Sequence, residues 1–116
     1  MGGRRSRNKG KAWEREVAIL LREFWEDSRR GFQSRSGGDE ADVEDTPFWV
    51  ECKVGARPNT FAAFDQAEEA SDGRPILIAI KRNAKNSHED PSCFMAMRIE
   101  NFLDLLNFIL FQVNLF

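Results

Sequence analysis

The chain has 116 residues and a formal net charge of −2, from 17 Lys and Arg against 19 Asp and Glu. That length makes one domain with a modest core. No apolar run of about 18 residues suggests a membrane span, and no apolar segment follows the basic N-terminus as a signal peptide would require. The near-neutral total hides an asymmetry. Residues 1–35 carry ten basic and five acidic residues, whereas residues 38–72 carry ten acids against Lys53 and Arg57 alone. A uniformly basic nucleic-acid surface is therefore excluded.

Residues 1–9 read as a flexible basic arm, either a solubilising tail or a binder of phosphate backbones, which needs only charge and reach. A single domain follows over residues 10–116. Residues 10–27 have helical periodicity, with Trp13, Val17, Leu20, Leu21 and Phe24 on one apolar stripe. Glu14 stands at the margin of that stripe, and Gly31 is expected to end the helix. Strands are expected at 32–36, 41–44 and 48–54, with a turn at Gly37-Gly38-Asp39-Glu40 and another at Asp45-Thr46-Pro47. The third strand is apolar on both faces and reads as central. Thr60 can cap a helix to about Ser71, closed by Gly73. A buried strand at 75–80, a polar loop at 83–92, a strand at 93–98 and a helix from Ile99 to about Phe111 complete an αβββαββα order. The expected fold is an α/β layered domain, a mixed central sheet flanked by helices.

The chemistry concentrates on the third strand. Side chains alternate between faces in a strand, so Glu51 and Lys53 share one face while Val50, Cys52 and Val54 take the other. With Asp42 arriving from a neighbouring segment, two carboxylates and an ammonium come together. Hard divalent cations take oxygen ligands, and Mg²⁺ is commonly held by one or two carboxylates with water and substrate phosphate. This equipment suits metal-assisted phosphodiester hydrolysis. Other candidates read more plainly. Cys52 and Cys93 are neither a CxxC pair nor near a His, and are expected to be reduced, buried and apolar in a cytosol-like compartment. His88 lies in a polar loop without partner ligands. Asp39, Glu40, Glu44 and Asp45 either extend the metal site or form a solvated acidic loop. Trp13 and Phe61 suit stacking platforms or, from their helical positions, core packing. Residues 101–116 hold one charge, Asp104, so the last helix is expected to be buried in the core or against a second subunit, with dimerisation favoured.

Together these pieces resemble the PD-(D/E)XK nuclease superfamily, closest to archaeal-type Holliday junction resolvases and their small phage relatives. The matching residues are Lys9-Gly10-Lys11-Ala12-Trp13-Glu14-Arg15, then Arg35-Ser36-Gly37-Gly38 before Asp42, then Glu51-Cys52-Lys53, then Gln66, then Ile76 to Arg82. Ala41 stands where the family usually has proline. The resemblance implies a restriction-endonuclease-like fold and a Mg²⁺-dependent endonuclease, with Mn²⁺ able to substitute, acting on four-way DNA junctions as a homodimer. It implies that Asp42, Glu51 and the Cys52 backbone carbonyl bind the metal, with Glu14 completing the shell. Lys53 would orient the nucleophile and Gln66 would position Lys53 or a phosphate. Arg4, Arg5, Arg7, Lys9, Lys11, Arg15, Arg35 and Ser36 would contact DNA. Two alternatives stand beside this: another endonuclease of the same fold, and a DNA-binding protein without catalysis.

Overall fold

The structure is a computed structural model and describes residues 2–32 and 40–113. Three helices, α1 (Gly2–Leu21), α2 (Thr60–Ala70) and α3 (Ile99–Val113), are interspersed with strands β1 (Arg29–Arg30), β2 (Val43–Glu44), β3 (Trp49–Gly55), β4 (Ile76–Arg82) and β5 (Ser92–Ala96). The strands form one mixed sheet in the order β1-β2-β3-β4-β5. β3 and β4 run parallel, from Trp49 opposite Ile76 to Gly55 opposite Arg82. The other neighbours are antiparallel. The α/β class and the order of elements are those the sequence predicts.

Period-2 alternation divides the core. On one face Trp13, Val17, Ala18 and Leu21 of α1 pack on Val43, Val50, Leu77 and Ala79. On the other, Ala63 and Ala67 of α2 pack on Trp49, Ile76, Ile78 and Ile80. The small side chains of α2 let its backbone lie close to the sheet. α2 is also the crossover that parallel strands require. Its N-cap is Asn59, whose Oδ1 accepts from the Ala62 amide at 3.0 Å, one residue before the expected Thr60. Two polar ties pin α1 to β4: Trp13 Nε1 donates to the Ala79 carbonyl at 3.0 Å, and Lys81 Nζ reaches Glu16 at 3.0 Å while lying over the Trp13 ring.

Several expectations are corrected. The basic segment 2–9 is helical, continuing α1, because nothing between Arg4 and Leu21 breaks a helix except one tolerated glycine, Gly10. At its other end α1 stops at Leu21 instead of residue 27. The Arg22 amide is shared between the Ala18 and Ile19 carbonyls, and the chain then turns so that Trp25 meets Phe48 edge-on at 5.8 Å. Burying Trp25 outweighs another helical turn, and Leu20 and Phe24 of the expected stripe are left exposed. Gly31 caps no helix. It follows β1 against β2, where a Cβ would fall 1.8 Å from the Ala41 carbonyl oxygen. The first strand lies at Arg29–Arg30, ahead of the expected position, and residues 33–36 lie outside those described. Cys93 is exposed on the edge strand β5 and Cys52 is half-buried, so neither thiol is fully in the core. α3 is not buried on most faces: Ile99, Phe102, Leu103, Phe108, Ile109 and Phe111 are all exposed, and no residue of α3 belongs to either core cluster. Among the described residues no helix is long and apolar enough to cross a membrane.

Trp13 joins α1 to the sheet by packing and by a buried hydrogen bond. Trp13→Ala is expected to cost about 3–5 kcal/mol, read as a lowered midpoint in urea unfolding followed by circular dichroism.

Candidate active site at the edge of the third strand

The site forms where the β2–β3 ladder runs out. β2 pairs with β3 only at Val43 and Val50. One residue before β2, the Asp42 amide still donates to the Val50 carbonyl at 2.9 Å, and its carboxylate Oδ2 then accepts from the Cys52 amide at 2.8 Å. The Asp42 side chain thus takes the place of the next ladder bond and is fixed against β3. A strand residue's N–H and C=O point to the same edge, so the Cys52 carbonyl faces the Asp42 side as well.

Glu51 and Lys53 project from the α2 face of β3, on the side of buried Trp49. Trp49 Nε1 donates to Glu51 Oε1 at 3.3 Å. Lys53 Nζ donates to Gln66 Oε1 on α2 at 2.8 Å. From the α1 side comes Glu14, mostly buried, whose Oε2 accepts from Arg30 Nε at 2.6 Å. Asp42, Glu51, Lys53 and Gln66 are therefore gathered on neighbouring elements, while Glu14 is held by Arg30.

Electrostatics mark the same spot. Burial first, then the neighbouring charges of Glu51 and of Glu14, push the Asp42 carboxyl up from its ordinary value to about 7. The Cys52 amide and Lys53 act in the opposite direction. Burial raises Glu51 too, with Trp49 and Lys53 opposing and Glu14 adding to the rise. Burial and the three nearby carboxylates push the Cys52 thiol upward, so it stays protonated and unreactive at neutral pH. Carboxylates facing one another in a half-desolvated place are what a cation relieves.

Among the described residues no group of three or more His, Cys, Asp and Glu side chains is gathered closely enough to hold a metal ion. Two carboxylates beside a backbone carbonyl still fit Mg²⁺, which dehydrates reluctantly and keeps several waters. Asp42 and Glu51 fit that role and their raised proton affinity is consistent with it. Glu14 is paired with Arg30, and its charge still acts on Asp42 and Glu51.

The other expected residues fall in three places. Arg7, Lys9, Lys11 and Arg15 are exposed on α1. Arg4 and Arg5 lie on the same helix, and Arg35, Ser36 and Asp39 lie outside the described residues. Trp13 is core, whereas Phe61 is exposed and not packed in the core. His88 is exposed. The acidic loop is not simply solvated. Glu44 is buried in a bidentate pair with Arg74, at 2.8 and 3.1 Å. Glu40 and Asp45 are both bonded to Arg29, and the Arg29 guanidinium holds Glu40 down at about 2. These acids are tied to arginines and do not extend the Asp42–Glu51 pair. Two contributors are absent from the sequence-based expectation. Trp49 was legible, since it stands two residues before Glu51 on the same strand face. Arg30 was not, because its contact with Glu14 depends on where α1 stops.

Comparison with protein-family models, with curated proteins and with solved structures finds no match.

The raised Asp42 pKa has a measurable sign. Unfolded, this carboxyl titrates near 3.8; folded, near 7. Its contribution to stability is fully present below the lower value and is lost as pH rises through the higher one. In EDTA, the stability of wild type relative to Asp42→Asn is expected to fall steadily between those two pH values. A difference that stays flat across that window would show that Asp42 titrates normally.

Proposed function

We propose that the chain is a divalent-cation-dependent DNA endonuclease of the restriction-endonuclease-like fold, hydrolysing phosphodiesters and acting on four-way junctions as a homodimer. The observation that carries this reading is the pairing of the Asp42 and Glu51 carboxylates at one strand edge, with Lys53 on that strand steadied by Gln66. The αβββαββα order on a mixed sheet supports the same fold.

When bound, Mg²⁺ (or Mn²⁺ in its place) supplies an activated water and polarises the scissile phosphate. The residues of the chain do the rest. Asp42 and Glu51 would hold the cation, with the Cys52 carbonyl on the same edge. Lys53, kept in place by the Gln66 side chain, offers an ammonium to the attacking oxygen and to the charge gathering on the phosphate. Arg30 keeps Glu14 in a neutral pair, which limits repulsion of incoming DNA. Arg7, Lys11 and Glu14 stand at i, i+4 and i+7 and so share one face of α1. The helix that supplies Glu14 thereby presents cations on the same side, where DNA phosphates approaching the site would meet them.

The homodimer reading rests on α3. Its six exposed apolar side chains are between 43 % and 85 % accessible. Their combined area is on the order of the ~800 Å² that each partner of a standard interface buries, more than a monomer usually leaves open. Because α3 lies outside both core clusters, removing it should spare the domain. A chain ending at Arg98 is expected to stay folded and to elute as a monomer in gel filtration, with the full chain eluting as a dimer. Equal elution of the two as monomers would remove this interface.

The function is tested with a labelled immobile four-way junction and a linear duplex of the same sequence. Wild-type protein with Mg²⁺ is expected to place paired symmetric nicks in the junction. Glu51→Ala, Asp42→Asn and Lys53→Ala are each expected to lower the single-turnover rate by about 10²-fold or more, the scale of losing one preorganised group. Cutting of both substrates would keep the endonuclease and remove the junction preference. Tight binding without cutting in Mg²⁺ or Mn²⁺ would leave a DNA-binding protein without catalysis.

A further inference from the structure

We propose that the concavity at the C-terminal ends of β3 and β4 is a second phosphate site, which grips the backbone of the nucleic-acid strand beside the phosphate at Lys53. It is a hollow of about 450 Å³ lined by Arg57, Pro58, Ile80, Arg82, Lys85 and Phe94, with no acid among its lining residues. This rests on the DNA reading above and deepens it, since none of these cations belongs to the site already described.

Three features of the structure point to an anion here. The first is charge pairing. Arg29, Arg30, Arg74, Lys81 and Arg98 each meet a carboxylate. Arg57, Arg82 and Lys85 make no ion pair among the described residues, although acids outnumber bases in the chain. Three uncompensated cations around one hollow repel one another, and an anion between them removes that cost. The second is the helix behind them. Pro58 and Asn59 lead directly into α2, so the positive end of an eleven-residue helix adjoins the same hollow.

The third is register. Lys53 lies opposite Ile80 and Gly55 opposite Arg82. Arg82 continues the face of Ile76, Ile78 and Ile80, which is the face of Glu51 and Lys53. One strand across and two residues along places the Arg82 Cα about 8 Å from that of Lys53. The hollow therefore continues the candidate site along one strand face. Phe94, 52 % exposed and paired with Ile80, forms an apolar wall beside the cations. A cationic groove edged by an exposed aromatic ring is how backbone tracking and base stacking are combined on nucleic-acid strands.

The test is binding of a fluorescein-labelled four-way junction in EDTA, followed by anisotropy across a NaCl series, with a parallel cleavage assay in Mg²⁺. The variant is Arg57→Ala/Arg82→Ala, and Ile19→Glu/Ala70→Glu, at exposed positions outside the hollow and outside α3, serves as a control carrying the same change in net charge. The pocket variant is expected to bind at least about tenfold more weakly. The slope of log affinity against log salt should shrink by about 2, near 0.9 for each phosphate that is no longer neutralised. The control should shift both far less. Unchanged affinity and slope in the pocket variant, or equal losses in variant and control, would overturn the inference. Cleavage by wild type alongside that negative result leaves the endonuclease reading intact. Pocket-dependent binding without cleavage overturns the endonuclease reading and keeps the phosphate site.

Discussion

The parallel pairing of β3 with β4 is the constraint on which the molecule depends. Seven consecutive residue pairs, Trp49 with Ile76 through Gly55 with Arg82, hold two strands that are covered on both faces through most of their length. Parallel strands need a crossover, and α2 is that crossover. Its docking on one face leaves the other for α1. Both helices then hand polar side chains to the same strand: Gln66 from α2 to Lys53, and Glu14 from α1 toward the Asp42 side. The apolar core and the polar edge are thus two consequences of one pairing, separated by which direction each β3 side chain takes.

The acidic middle of the chain is divided by its arginines. Arg74 takes Glu44 in a buried bidentate pair and lies over the Trp49 ring, joining β2, β3 and the approach to β4. Arg29 takes Glu40 and Asp45, and Arg30 takes Glu14. Beside β3 lie Asp42 and Glu51, the charge of the second raising the proton affinity of the first, with Lys53 as the nearby ammonium. Asp45 is set apart by its backbone. It adopts a left-handed conformation, φ 63°, in the turn between β2 and β3, a region that aspartate tolerates better than most residues.

Much of this was legible in the sequence, for reasons that can be named. Alternation on 50–54 placed Glu51 and Lys53 on one face and Val50, Cys52 and Val54 on the other, because period 2 is a local property of the backbone. The order of the elements followed from apolar periodicity and punctuation by Gly, Pro and Asn. What escaped was set by long-range packing. The end of α1 is decided by the pull of Trp25 toward Phe48, and only after that turn does Arg30 face Glu14. The place of Gly31 is decided by a carbonyl ten residues away. Whether an acid such as Glu44 is solvated or buried depends on Arg74, thirty positions along the chain. Cys93 sits in an apolar run, yet β5 is an edge strand and its side chains face outward. Local composition does not say which strand of a sheet is the last.

The short β2 ladder has a consequence for association with other chains. Beyond Val50, no strand among the described residues pairs with β3 on the Asp42 side. A bare strand edge in the middle of an apolar sheet is an invitation to another chain, the kind of template from which sheet-to-sheet aggregation begins. Here that edge is blocked by the Asp42 carboxylate, bonded to the Cys52 amide. Charged groups at an edge are a recognised guard against such pairing. The acids of the candidate site thus also serve solubility. Neutralising them would bare that edge, whatever else those carboxylates do.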